Sequence, residues 1–194
     1  MDCATDFLGK VLVRRTSAGR VAGIICDVEE YPAFIDDVHH GNKKTPRTAV
    51  MWNAGGVGYV YLIYGMWHQF AAVVNRAEVP DVVFIRGLVP VEGIDDMVSQ
   101  WDKPRPLSDL TNSPGKLCKS LQITNDLYGV DLTGNDLFLE DWGIAIDPHS
   151  IEATQRVDIS TRHRGHDTTL RYYLPQAMRA LSPEQVRTPT DRRD

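Results

Sequence analysis

The 194-residue chain holds only three cysteines, Cys3, Cys26 and Cys118. They are odd in number, widely spaced and without paired spacing, which argues against a disulfide framework or a zinc site and for reduced thiols in a cytoplasm. Long apolar runs are missing too. Stretches such as Val11–Val13 and Val82–Ile85 fall far short of the roughly 20 residues that a membrane-spanning helix needs. Residues 1–10 carry no basic stretch followed by an apolar one, so no secretory signal is expected. Positive charge is not in excess either: 21 Lys and Arg stand against 26 Asp and Glu, for a formal net charge of −5. That balance counts against a nucleic-acid partner, although phosphate affinity comes from a local patch and not from the sum. No phosphate-cradling glycine fingerprint and no Ser-His-Asp arrangement is readable. What the chain does have is 42% hydrophobic residues, enough for a single globular core. One domain is expected over 1–187, followed by a polar tail at 188–194.

Taken in order, residues 10–15 read as a strand, Ser17-Ala18-Gly19 as a turn, and Arg20 to Tyr31 as the return arm of a hairpin. Side chains on a strand alternate between faces. Ile24, Cys26 and Val28 should therefore meet the core, while Asp27, Glu29 and Tyr31 line the other face. Residues 33–56 read as a long irregular loop, which in a compact domain is usually functional or disordered. Its histidines and aromatics favour function. Gly58–Ile63 is a strand with Tyr59 and Tyr61 on one face; Tyr64-Gly65 is a turn, and 66–75 returns. Another strand covers 81–88, with Val82, Phe84 and Arg86 sharing a face. The period then changes: Ile94, Met97, Val98 and Trp101 predict a short amphipathic helix. Asn112-Ser113-Pro114 predicts a capped helix start running through Leu121. Residues 136–140, 155–159 and 169–174 are strand candidates, and Ser182–Gln185 resembles a capping box.

Glu29 is the sharpest candidate. A lone strand-end glutamate is ordinarily a salt-bridge partner, but beside Tyr31 and a histidine-bearing loop it reads as a general base whose pKa burial would raise. His39 and His40 could ligate a metal with Asp36 or Asp37. Adjacent residues rarely share one ion and no further ligands recur, so no metal is expected; one histidine should line a pocket and the other face solvent. Tyr59 and Tyr61 read equally as cross-strand packing. Tyr64 at a turn reads as an exposed contact residue or wedge. Lys43, Lys44 and Arg47 form a basic turn, and Ser113-Pro114-Gly115-Lys116 offers helix-start amides plus an ammonium for a phosphate.

Together these residues resemble the alkyladenine (3-methyladenine) DNA glycosylase family. The likeness runs from Phe7-Leu8-Gly9-Lys10 through V-E-E-Y at 28–31, Asp36, His40, Thr45-Pro46-Arg47 and Met51. Tyr59-Val60-Tyr61-Leu62-Ile63-Tyr64-Gly65-Met66 is its most specific string, and Ile85-Arg86, Pro90–Gly93, Pro114–Leu117, Arg156-Val157 and Leu170–Tyr173 complete it. The resemblance implies an α+β fold: one mixed domain around a curved antiparallel sheet, with a protruding hairpin and flanking helices. It implies a monofunctional enzyme without metal or organic cofactor that removes alkylated or deaminated purines from duplex DNA. Glu29 would activate water and Arg86 would position it. Tyr31, His40, Tyr61 and Ala71 would form the base pocket, and Tyr64 would fill the gap left by the extruded nucleotide. Lys43, Lys44, Arg47 and Lys116 would meet the DNA backbone. A cytoplasmic monomer, nucleoid-associated through DNA, is expected. The chain departs from the pattern at Ala71, where the family carries an asparagine, and at Ser113 and Asp158, where it carries glycines. A lesion-binding protein without excision and a hydrolase of free purine nucleosides are the alternatives.

Overall fold

A computed structural model describes residues 3–35 and 37–175. Asp36, the expected cap at Ser182–Gln185 and the tail lie outside the described residues. The sheet is built from β1 (Val11–Thr16), β2 (Gly19–Tyr31), β3 (Gly58–Ile63), β4 (Trp67–Val73), β5 (Val82–Glu92), β6 (Leu137–Glu140), β7 (Glu152–Gln155) and β8 (Thr169–Tyr173). Its order is β3-β4-β5-β2-β1-β6, with β8 on β2 and β7 on β8. All of the pairings are antiparallel, and the eight strands form one curled sheet in an α+β fold, as the resemblance implies.

The 13-residue β2 organises the molecule. Its first half pairs with β1, its second half with β8, and β5 runs along most of its length. One strand can serve so many partners because the β2–β5 register shifts. Ile25 faces Leu88, Asp27 faces Gly87 and Val28 faces Ile85, so the β2–β5 register steps past Cys26 on one strand and Arg86 on the other. Such bulges bend a strand and re-aim side chains.

Apolar residues from β1, β2, β5 and the 107–138 region close the main core, with Leu12, Ile24, Ile25, Val28, Ile85 and Leu88 almost fully buried. Across the sheet a smaller cluster gathers Val50, Met51, Tyr59, Ala71, Val73, Val82 and Phe84, with Tyr31, Trp52 and Tyr61 packed against it. The alternation expected along β2 holds in part. Ile24, Cys26 and Val28 meet the main core and Tyr31 packs on the smaller cluster, with Glu29 bonded to its hydroxyl. Ile25, however, is buried in the main core as well, and Asp27, beside the register shifts, pairs with Arg171.

Some boundaries differ from expectation. The strand read over 81–88 continues through Pro90 to Glu92. Pro90 faces Gly23 beside a register shift, a position where a strand tolerates the missing N–H. The candidate at 155–159 is displaced: β7 ends at Gln155, and the chain beyond it leaves the sheet. Helix α1 (Ile94–Ser99) buries Met97 and is entered through Gly93 at φ 68°. A Cβ there would lie 2.4 Å from the Arg20 carbonyl oxygen, so only glycine fits. Helix α2 (Pro114–Ser120) has proline at its first turn as predicted, but the Ser113 side chain makes no capping hydrogen bond.

Candidate active site

Residue pairing across the sheet assembles the site. Glu29 faces Phe84 and Tyr31 faces Val82 across β2 and β5. Tyr59 faces Ala71 and Tyr61 faces Gln69 across β3 and β4. The irregular segment 33–56 returns over this face and brings Val38, His39, His40 and Met51. Together with Arg86 and Val157–Ile159 they enclose a cavity of about 300 Å³.

Its wall is aromatic. Tyr59 and Tyr61 stack with ring centroids 4.8 Å apart and planes 21° from parallel. His40 meets Tyr61 edge-on at 5.1 Å, and its Nδ1 lies 3.3 Å from the Tyr59 hydroxyl. Burial, then Arg47 and His39, lower the His40 pKa, so the ring is neutral near neutral pH and can donate from one nitrogen and accept at the other. The expectation that one histidine lines the cavity and the other faces solvent holds in part: both line it, and His40 is also exposed to solvent. His39 is the buried one, with Nε2 2.6 Å from the Pro80 carbonyl oxygen. That bond pulls it inward.

Glu29 is 0% exposed. The Val157 N–H donates to its Oε1 at 2.7 Å, and the Arg86 guanidinium stands 3.2 Å from the same oxygen. The Tyr31 hydroxyl donates to Oε2 at 3.0 Å. Burial pushes the carboxyl pKa up, Arg86, Val157 and Tyr31 pull it down, and the net direction is upward. The Tyr31 phenol is itself pushed up by burial and by Glu29, so it stays protonated and donating. Arg156 lies 4.5 Å over the Tyr31 ring, fixing the tyrosine from behind. Two residues back on β2, Asp27 is held by Arg171 through two hydrogen bonds of 3.0 and 2.7 Å.

The hairpin tip carries Tyr64 and Gly65 at φ 52° and 68°, the left-handed pair of a tight hairpin turn. Tyr64 is 85% exposed at the edge of the cavity. Next to its tip the hairpin is braced by α2, where Gly115 packs against the Trp67 ring.

The structure thus brings Tyr31, His40, Tyr61, Tyr64, Ala71 and Arg86 to one cavity, with Glu29 immediately behind its wall. The basic residues are dispersed. Arg47 lies 5.3 Å over the Tyr61 ring, Lys43 is exposed nearby in sequence, and Lys44 is drawn to Glu78 and the Trp52 ring. Lys116 is outside the cavity lining, tied to Asp109 and Asn112. Sequence reasoning missed Val157 as a partner of Glu29, because a backbone amide leaves no trace in residue identity. It also missed Gln69, which side-chain alternation with Ala71 and pairing with Tyr61 could have found.

A buried acid with three donors thus lies beside stacked rings and an exposed hairpin aromatic, an arrangement with room for a flat ring next to a carboxylate. Comparison with known proteins assigns the family. The methylpurine-DNA glycosylase family profile matches residues 1–178. A Clostridium novyi protein is 33% identical over 183 residues, covering 90% of this chain and 89% of its own. One from Alkaliphilus oremlandii is 34% identical over 185 residues, covering 90% of each. A Bacillus cereus protein is 39% identical over 147 residues, 72% of each. All three are provisionally named 3-methyladenine DNA glycosylases. The chain belongs to the methylpurine-DNA glycosylase family, a family of base-excision repair hydrolases that act on DNA. No helix among the described residues is long and apolar enough to cross a membrane.

Proposed function

We propose that this protein excises alkylated or deaminated purines from duplex DNA, with Glu29 as the acid that activates water. The observation that carries this reading is the sealed Glu29 carboxylate, ringed by Arg86, Val157 and Tyr31 beside an aromatic cavity. All three donors favour the ionised form, and that charge faces a place where a ring can be held. Reaching a base inside a duplex requires extruding the nucleotide, at a cost of roughly a few kcal/mol. Tyr64 fills the vacated stack from the hairpin tip. The extruded base lies against Tyr61 and His40, where stacking contributes about 1–3 kcal/mol with little dependence on base identity.

Breaking the N-glycosidic bond builds positive charge on the sugar, as in other glycosyl hydrolyses. The water oxygen bonds to the sugar carbon, a water proton passes to Glu29, and the electron pair of the broken bond leaves with the base. Arg86 holds the carboxylate and the water in register. Because Glu29 has no solvent exposure, the water enters as the Val157 segment moves away from Oε1. A monomer working without metal or organic cofactor suffices for these steps.

The test is release of free base from duplexes carrying 3-methyladenine, hypoxanthine, ethenoadenine or 7-methylguanine. Wild-type protein releases at least one of them, and Tyr64→Ala slows duplex turnover by about tenfold, as expected when roughly one stacking contact is lost. Tight lesion binding with no release would instead support a sensor. A Tyr64→Ala protein with full activity would support a hydrolase of free nucleosides.

A further inference from the structure

Asp158 is an exposed acidic residue on the cavity lining that the steps above do not use. It lines the cavity directly after Val157, the residue whose N–H holds Glu29. Its backbone stands at φ 61°, a left-handed conformation that side-chain-bearing residues avoid and that recurs at functional sites. Its carboxylate has no hydrogen bond or ion pair to any described residue. The other formally charged residue on the cavity lining is Arg86, and Arg86 is paired with Glu29 at 3.2 Å. Among the described residues, the charge of the lining left without an ion-pair partner is therefore negative. In a protein that must approach DNA phosphates such a charge works against binding, and glycine would remove both the charge and the strain.

We propose that Asp158 is a specificity residue that favours purines carrying positive charge on the ring over neutral ones. The inference rests on the base-excision reading above and deepens it. An alkyl group on a ring nitrogen makes the purine of an intact nucleotide cationic, whereas hypoxanthine is neutral. The attraction acts on the extruded, still attached base. It fades as the bond breaks, because the departing electron pair neutralises the ring. Asp158 therefore strengthens capture of the charged lesion and slows its chemical step by a similar factor, because an interaction lost before the transition state stabilises the bound ground state alone.

The experiment measures dissociation constants for duplexes with one 7-methylguanine or one hypoxanthine, in the Glu29→Gln background that keeps the base attached. Asp158→Asn and Asp158→Gly are each compared with the parent; the second also relieves the φ strain. Both substitutions weaken 7-methylguanine binding by about five- to tenfold relative to hypoxanthine, and the difference shrinks with added salt, as expected of a screened partly exposed charge. Equal changes for the two lesions, or none, overturn the proposal. Base release by the otherwise wild-type protein is followed in parallel. Release by the wild-type protein together with equal or absent binding changes in the Asp158 variants defeats this inference alone, and no release of any lesion defeats the excision reading and this inference with it.

Discussion

The two faces of β2 are made from the same strand and do opposite work. On one face Ile24, Cys26 and Val28 are fully buried among apolar neighbours, and burial of that kind stabilises by about 25 cal/mol per Å². On the other, Glu29 is just as buried, and its burial raises its pKa, which means that the fold disfavours its charged form. One face holds the molecule together; the other spends some of that stability to keep a carboxylate dry. Asp27 sharpens the contrast. It is a second acid near the same site, yet its pairing with Arg171 makes it part of the β2–β8 join.

The largest expected effect comes from breaking the charged face. Glu29→Gln lowers single-turnover base release by roughly 10²–10⁴-fold, the usual worth of a general acid or base, while lesion binding persists. Its stability shows a different signature. A carboxyl whose folded pKa lies above its unfolded value contributes stability that is lost as pH rises through the folded pKa. The wild-type melting temperature therefore falls more steeply over that range than that of Glu29→Gln, which has no titrating group there and leaves Arg86 without its partner. Parallel pH profiles for the two proteins would contradict the cost assigned to Glu29.

Breaking the apolar face does the reverse. Ile24→Ala removes about 2–5 kcal/mol of stability, as cavities in close-packed cores do. Denaturant titration reads that loss, and the rate per folded molecule in the base-release assay stays within about twofold because the cavity lining is untouched. The smallest effect separates the basic residues. Arg47 lies over Tyr61, whereas Lys116 is held by Asp109 and Asn112. Arg47→Ala reduces the slope of log affinity against log salt by about 1, and Lys116→Ala changes it by roughly nothing. A larger effect at Lys116 would show that its ion pair opens on DNA.

Much of this was legible from residue order. The hairpins at 11–31 and 58–73 follow from period-2 alternation bounded by Gly-bearing turns. The shared face of Val82, Phe84 and Arg86 follows from the same rule. The convergence of Tyr31, His40, Tyr61, Ala71 and Arg86 on one cavity was expected through family likeness, because alternation on each strand does not say which strands become neighbours. What escaped was carried by backbone and register. The register shift at Cys26 and Arg86, the survival of β5 through Pro90 and the Val157 amide on Glu29 depend on long-range pairing that local propensity cannot encode. The segment after Gln155 reads as a strand by composition, yet it leaves the sheet and closes over the acid.

The most direct test is the pH dependence of single-turnover base release from a neutral lesion, which reports the ionisation of Glu29 in the loaded site. Burial outweighs the three donors in setting the direction of its pKa, so the rate should rise with pH through a midpoint above the ordinary carboxylate range and then level off, and Glu29→Gln should abolish that step. A midpoint at or below the ordinary range, or the same profile in the glutamine variant, would contradict a buried Glu29 as the group that drives the water.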